Sequence, residues 1–167
     1  MAQSNEVQEK IREAVEKGGI YAEMYIDMHS DSEEGVKNLL VELLARIAKE
    51  EGVIFYVGTI NKPIQDKDIF SATAVVKILT KSFYHLDKIC SRYCPFALEI
   101  IEPKEIKLKA SDAAFVLLES SNHAYQYSSY ILKQTMDPEK YKKYLREIEN
   151  RKMLGKKLIE EKTEKKE

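Results

Sequence analysis

YAEMYIDM (21–28), EEGVKNLLVELLARIAKEE (33–51), VIFYVGTI (53–60), IFSATAVVKIL (69–79), KSFYHLDKICSRY (81–93) and FALEII (96–101) are the segments whose reading decides the fold. In the first, Ala22, Met24, Ile26 and Met28 alternate with Glu23, Tyr25 and Asp27. That is the period of a strand with one buried face and one wetter face. In the second, Val36, Leu39, Leu40, Leu43, Leu44 and Ile47 make a stripe at helical spacing. Ser30 or Ser32 can cap its free N–H groups, Glu33 and Glu34 suit the positive end of the helix dipole, and Gly52 stops it.

The β-rich runs 53–60 and 69–79 read as two strands joined by the polar connection 61–68, which suits an antiparallel hairpin. In the longer run, Phe70, Ala72, Ala74, Val76 and Ile78 share a face. Gly58, in the shorter one, marks a bulge or a close backbone approach. Residues 81–93 form a second helix, with Phe83, Leu86, Ile89, Cys90 and Tyr93 inward, and Pro95 bars its extension. Strand, helix, strand, strand, helix, strand is the order of a split βαβ unit. It predicts an α+β, ferredoxin-like βαββαβ plait over 20–110. Residues 105–109 alternate again and read as a short additional strand.

Outward from this block, 5–17 read as an amphipathic helix (Val7, Ile11, Ala14, Val15) closed by Gly18-Gly19, giving an N-terminal segment 1–19. Two more helices are expected over 111–155. The first runs from Ser111 to about Gln134, and the second starts with Asp137 as cap and Pro138 at its first position. From Lys156 the apolar stripe fades, so 156–167 read as a charged, disordered tail.

Charged residues make up 33% of the 167 residues, against about 25% in ordinary globular chains. The excess is largely Lys and Glu, a bias common in proteins from hot environments. A net charge of -1 offers no global field for nucleic acid or anionic membrane. No apolar run approaches the roughly 20 residues of a membrane span. The charged start lacks the apolar core of a signal peptide, and the only cysteines are Cys90 and Cys94. A cytoplasmic protein is expected.

No residue pattern carries an established chemistry. Cys90, Cys94 and His85 lack the turn spacing and second pair of a zinc site, so Cys90 is expected in the core and Cys94 partly buried at a helix end. No metal and no cofactor are expected. His29 stands beside Asp27, Asp31, Glu33 and Glu34, the residue types of a general base or an oxygen-ligand set. Capping and the helix dipole explain the same acids. His123 neighbours Ser120, Tyr127 and Tyr130 at successive turns, but no nucleophile elbow accompanies them. The small residues there fit close helix packing. Tyr125, Tyr127, Tyr130 and Ser128 read as an interface, where Tyr is enriched.

SDSEEGVKNLL (30–40), running on to AKEEGVIF (48–55), resembles the first loop, helix and second strand of ACT-type regulatory domains. In that family a Gly after the first strand lets a small ligand, often an amino acid, sit against a helix start. Glu34 stands here where the family usually has Pro before Gly, and the loop is longer. The resemblance implies small-ligand sensing with Asp31 and Gly35 at the matching positions and His29 beside them.

Three functional expectations follow. The first is a non-catalytic binding or regulatory module that acts as a homo-oligomer and takes a small-molecule ligand. The second is a small enzyme using His29 with Asp27 and Asp31. The third is an RNA-associated accessory protein displaying Tyr21, Tyr25, Phe55 and Tyr56 to stacked bases. The third core strand lacks the basic, aromatic signature of such proteins, which disfavours nucleic acid.

Overall fold

The computed structural model describes residues 2–164. Among them are five helices and one five-stranded sheet in the order α1 (Ala2–Glu16), β1 (Ile20–Ser30), α2 (Glu33–Ile47), β2 (Val53–Ile60), β3 (Ile64–Asp66), β4 (Ile69–Thr80), α3 (Phe83–Tyr93), β5 (Ala97–Glu102), α4 (Ala110–Thr135) and α5 (Pro138–Glu164). The chain forms two compact units that part between Leu117 and Leu118, inside α4.

In the first unit the strands run β2-β4-β1-β5, with β3 also on β4, and every pairing is antiparallel. The register sets Ala22 against Ile78, Met24 against Val76 and Ile26 against Ala74. All six side chains therefore point to one face, as the alternation predicts. They are buried there against Val36, Leu40, Leu43 and Ile47 of α2 and Leu86 and Ile89 of α3. Gly58 lies on that face too: a Cβ at this position would come within 2.7 Å of Leu44 Cδ2, so the close approach is real.

The ends of the helices have local causes. Ser32 Oγ accepts from the Gly35 N–H at 3.1 Å and starts α2. The chain leaves α2 through shorter-range bonds, Lys49 N–H to Arg46 C=O (3.0 Å) and Glu50 N–H to Ile47 C=O (3.1 Å), and turns at Gly52 with φ +84. The helix proper thus ends at Ile47, four residues before the stripe-based limit of 51. Helix α3 ends at Cys94 in the left-handed conformation, its N–H bonded to Cys90 C=O at 2.8 Å.

Two expected features differ. The connection 61–68 is partly ordered: Ile64–Asp66 folds back onto β4 around Lys67, which takes φ 54 in place of the glycine that usually marks such a turn. Residues 105–109 form no strand. Ile106 packs against the core without a ladder partner, while Leu108 is exposed.

The opposite face of the sheet carries Tyr21, Glu23, Tyr25, Asp27 and His29 of β1. At one end it is covered by α1, whose Ile11 is buried beside the fully buried Leu79. Further along, Glu23 meets Lys77 at 3.5 Å and accepts from the Tyr25 hydroxyl.

The second unit is a helical hairpin. Asp137 Oδ1 accepts from the N–H groups of Glu139 (3.0 Å) and Lys140 (3.2 Å), the expected cap of α5. Ser129 and Tyr141 hydroxyls meet at 2.9 Å, and Lys152 Nζ lies 4.7 Å from the Tyr125 ring centre, so the two helices run antiparallel. Helix α5 continues to Glu164, through most of the stretch that reads as a disordered tail. The last part of that tail, 165–167, lies outside the described residues.

Candidate functional site

The sequence-predicted ligand and catalytic residues lie on two neighbouring surfaces, the open sheet face and the start of α2. On the open sheet face, His29 Nδ1 pairs with Ser71 Oγ at 2.7 Å, and Thr73 donates to Asp27 at 2.5 Å. Both are directly opposed cross-strand pairs of β1 and β4. Each candidate catalytic group is thereby matched to a β4 hydroxyl, and both are exposed. Asp31, also exposed, accepts from Ser30 Oγ at 3.2 Å at the start of α2. A Cβ on Gly35 would lie 2.4 Å from Ser30 Oγ and 2.7 Å from Ser32 Oγ. The crowded cap therefore accounts for the glycine as fully as a ligand would.

The aromatics considered for base stacking divide. Tyr21, Tyr25 and Phe55 share the open face, whereas Tyr56 turns to the helical side and packs on the core. Cys90 packs on the core, and its burial pushes the thiol up to about 11. Cys94 is exposed, not half-buried, because the left-handed cap points the chain outward before Pro95. His85 is occupied elsewhere: its Nδ1 meets Ser82 Oγ at 2.8 Å, and burial lowers its pKa.

Sequence reading missed a polar cluster at the end of the helical layer. Arg92 Nη1 lies 2.7 Å from both carboxylate oxygens of Glu50, and the Tyr93 hydroxyl donates to the same group at 2.6 Å. These hydrogen bonds, with Tyr93 foremost, hold Glu50 below the usual carboxylate range against an opposing burial penalty. Burial and the Glu50 carboxylate push Tyr93 up to about 12. The cluster edges a trough of about 700 Å³ that also touches Met28, Leu39 and Arg46. The Glu50 carboxylate already accepts from both Arg92 and Tyr93, so the cluster clamps the exit of α2 to the end of α3. More than 40 residues separate the partners, and no local pattern announces them.

A second concavity, of about 1200 Å³, lies within the first unit between the end of α1, the start of α3 and the connection 103–109. Its lining combines apolar side chains, among them Phe83, Tyr84, Ile106 and Phe115, with five lysines.

On the hairpin, the expected interface residues separate. Tyr125 is half-buried beneath Lys152 and serves the hairpin itself, whereas Tyr127 and Tyr130 are 60% and 67% exposed and Ser128 is exposed with them. His123 makes no pair with a serine; its Nδ1 is buried without a hydrogen-bond partner. A family model, that of the MJ0538 family, matches residues 21–165.

The chain belongs to the MJ0538 family.

The matched stretch takes in the whole sheet, α2, α3 and the hairpin, and leaves α1 outside. In this MJ0538-family chain, no group of three or more His, Cys, Asp and Glu residues among those described is placed to hold a metal ion. No described helix is long and apolar enough to cross a membrane. No curated protein and no solved structure matches the chain significantly.

Proposed function

We propose that this chain is a non-catalytic binding or regulatory module that works as a homo-oligomer, with a ferredoxin-like plait as its body and the α4–α5 hairpin as its assembly element. The plait reading is supported by the order β2-β4-β1-β5 and by α2 and α3 sharing one face. The regulatory element of the reading draws on the ACT-type resemblance at Asp31 and Gly35.

The observation that carries the assembly is the surface of α4. From Ser120 to Leu132 it contains no Asp, Glu, Lys or Arg, and none of its residues is buried. Ser120, Ala124, Tyr127 and Ile131 follow one another at intervals of four, three and four, all exposed. A solvated helix face normally carries charge. A neutral face meets a symmetry-related copy of itself without like-charge repulsion, which a two-fold contact requires. Burying a side chain such as Ile131 contributes about 1.5–3 kcal/mol. With Tyr127, Tyr130 and Ile131 from two copies, the gross gain is about 9 kcal/mol at the low end, against an association cost of about 4–15 kcal/mol.

Light scattering at tens of micromolar is expected to give at least twice the 19.3 kDa chain mass. Tyr127→Glu with Ile131→Glu places charges on that face at exposed positions and is expected to give the single-chain mass with unchanged helical circular dichroism. A wild-type protein that stays monomeric throughout this range refutes the reading.

A further inference from the structure

We propose that the concavity between α1, α3 and the 103–109 connection is a binding site for an amphipathic anion: an aliphatic or aromatic body ending in a carboxylate or phosphate.

The argument begins with charge. Lys17, Lys81, Lys104, Lys107 and Lys109 all line this one concavity, with Glu16, Glu105 and Asp112 as the acids among them. The local balance is five positive against three negative, in a chain whose overall charge is -1. None of the five lysines makes an ion pair among the described residues. Unneutralised cations drawn from three separate segments onto one cleft raise its potential, and low-dielectric walls focus it.

The walls supply the second half of the argument. Ile106 is packed on the core and fixes the connection, so Lys107 beside it projects from a held backbone. Phe83, Tyr84 and Phe115 form an aromatic wall, with Tyr84 edge-on to Phe115 at 4.9 Å. Ile20 and Val116 add aliphatic surface. A bare inorganic anion would leave this surface wet. A neutral apolar molecule would leave the lysines unanswered. An amphipathic anion matches both, in a volume of about 1200 Å³ that accepts a drug-sized body.

The test uses 8-anilinonaphthalene-1-sulfonate, an aromatic anion whose fluorescence reports binding, with the full chain. Wild type is expected to bind one equivalent. Lys81→Gln with Lys107→Gln is expected to weaken binding by roughly tenfold, from two lost solvent-exposed ion contacts. Tyr127→Glu with Ile131→Glu is expected to leave it unchanged, so failure here and failure of the self-assembly reading are told apart. Decanoate or decyl phosphate should displace the probe, and which of them does so at lower concentration assigns the head group. Decanol should not displace it. Equal binding by the lysine variant, loss of binding in the hairpin variant, displacement by decanol as readily as by the anions, or displacement by none of the three would overturn the proposal.

Discussion

Replacing Gly52 by alanine tests the packing of the first unit at one atom. Gly52 is buried at φ +84, and its carbonyl accepts from the Lys81 N–H at 2.8 Å. An added Cβ would stand 1.9 Å from His85 Cδ2 and 2.2 Å from Cγ. The ring cannot slide freely, because Ser82 holds its Nδ1 at 2.8 Å and Tyr84 lies edge-on at 5.4 Å. A left-handed backbone costs a residue with a Cβ about 1–2 kcal/mol. Forcing a packed ring aside costs about 1–3 kcal/mol. The stiffer unfolded chain returns less than about 1 kcal/mol. Gly52→Ala is therefore expected to lose about 2–4 kcal/mol, a fall in Tm on the order of 10 °C for a chain of this size. Urea unfolding followed by circular dichroism measures it. In a His85→Ala background the same change should cost only the backbone share of about 1–2 kcal/mol. A Gly52→Ala protein within about 0.5 kcal/mol of wild type, or one with no coupling to position 85, would refute the reasoning.

Two further predictions concern the clamp and the core. Glu50 has a folded pKa below its unfolded value, so its stabilisation is present above about pH 4.3 and is lost as pH falls through the folded value. Tyr93 is raised, so its share is present below about pH 10 and is lost as pH rises toward about 12. Tyr93→Phe should cost about 0.5–1.5 kcal/mol at neutral pH and flatten both limbs of a stability profile measured by urea midpoints from pH 3 to 11; identical limbs in the two proteins would contradict the clamp. Leu40→Ala, at a fully buried position of α2, should cost about 2–5 kcal/mol, and a loss below 1 kcal/mol in the same assay would show that the stripe is not seated on the sheet.

Much of the fold is legible residue by residue because its causes are local. The alternation of Ala22, Met24 and Ile26 needs only a pleated chain, and the Val36–Leu40–Leu43–Ile47 stripe needs only a 3.6-residue turn. The misreadings share one origin. Ile64–Asp66 is a strand because β4 offers it hydrogen bonds, not because of its own composition. Residues 105–109 have strand-like alternation and no strand to pair with. The site positions His29, Asp27 and Asp31 are not among these misreadings: the β1–β4 register gives His29 and Asp27 hydroxyl partners and sets Asp31 at the helix start, placements that no local pattern carries.

By itself, then, the sequence determined the order of the six core strands and helices, the buried faces of β1, α2, β4 and α3, and the caps that start α2 and α5, since these depend on neighbours within a few residues. Only the tertiary structure decided which polar groups meet. Glu50 reaches Arg92 and Tyr93 across 42 and 43 residues, and five lysines from distant segments gather at one concavity. The choice of partner for a charged group carries no sequence period, so charges find their partners through the packing of the apolar faces, and that packing is settled only when the whole sheet is assembled.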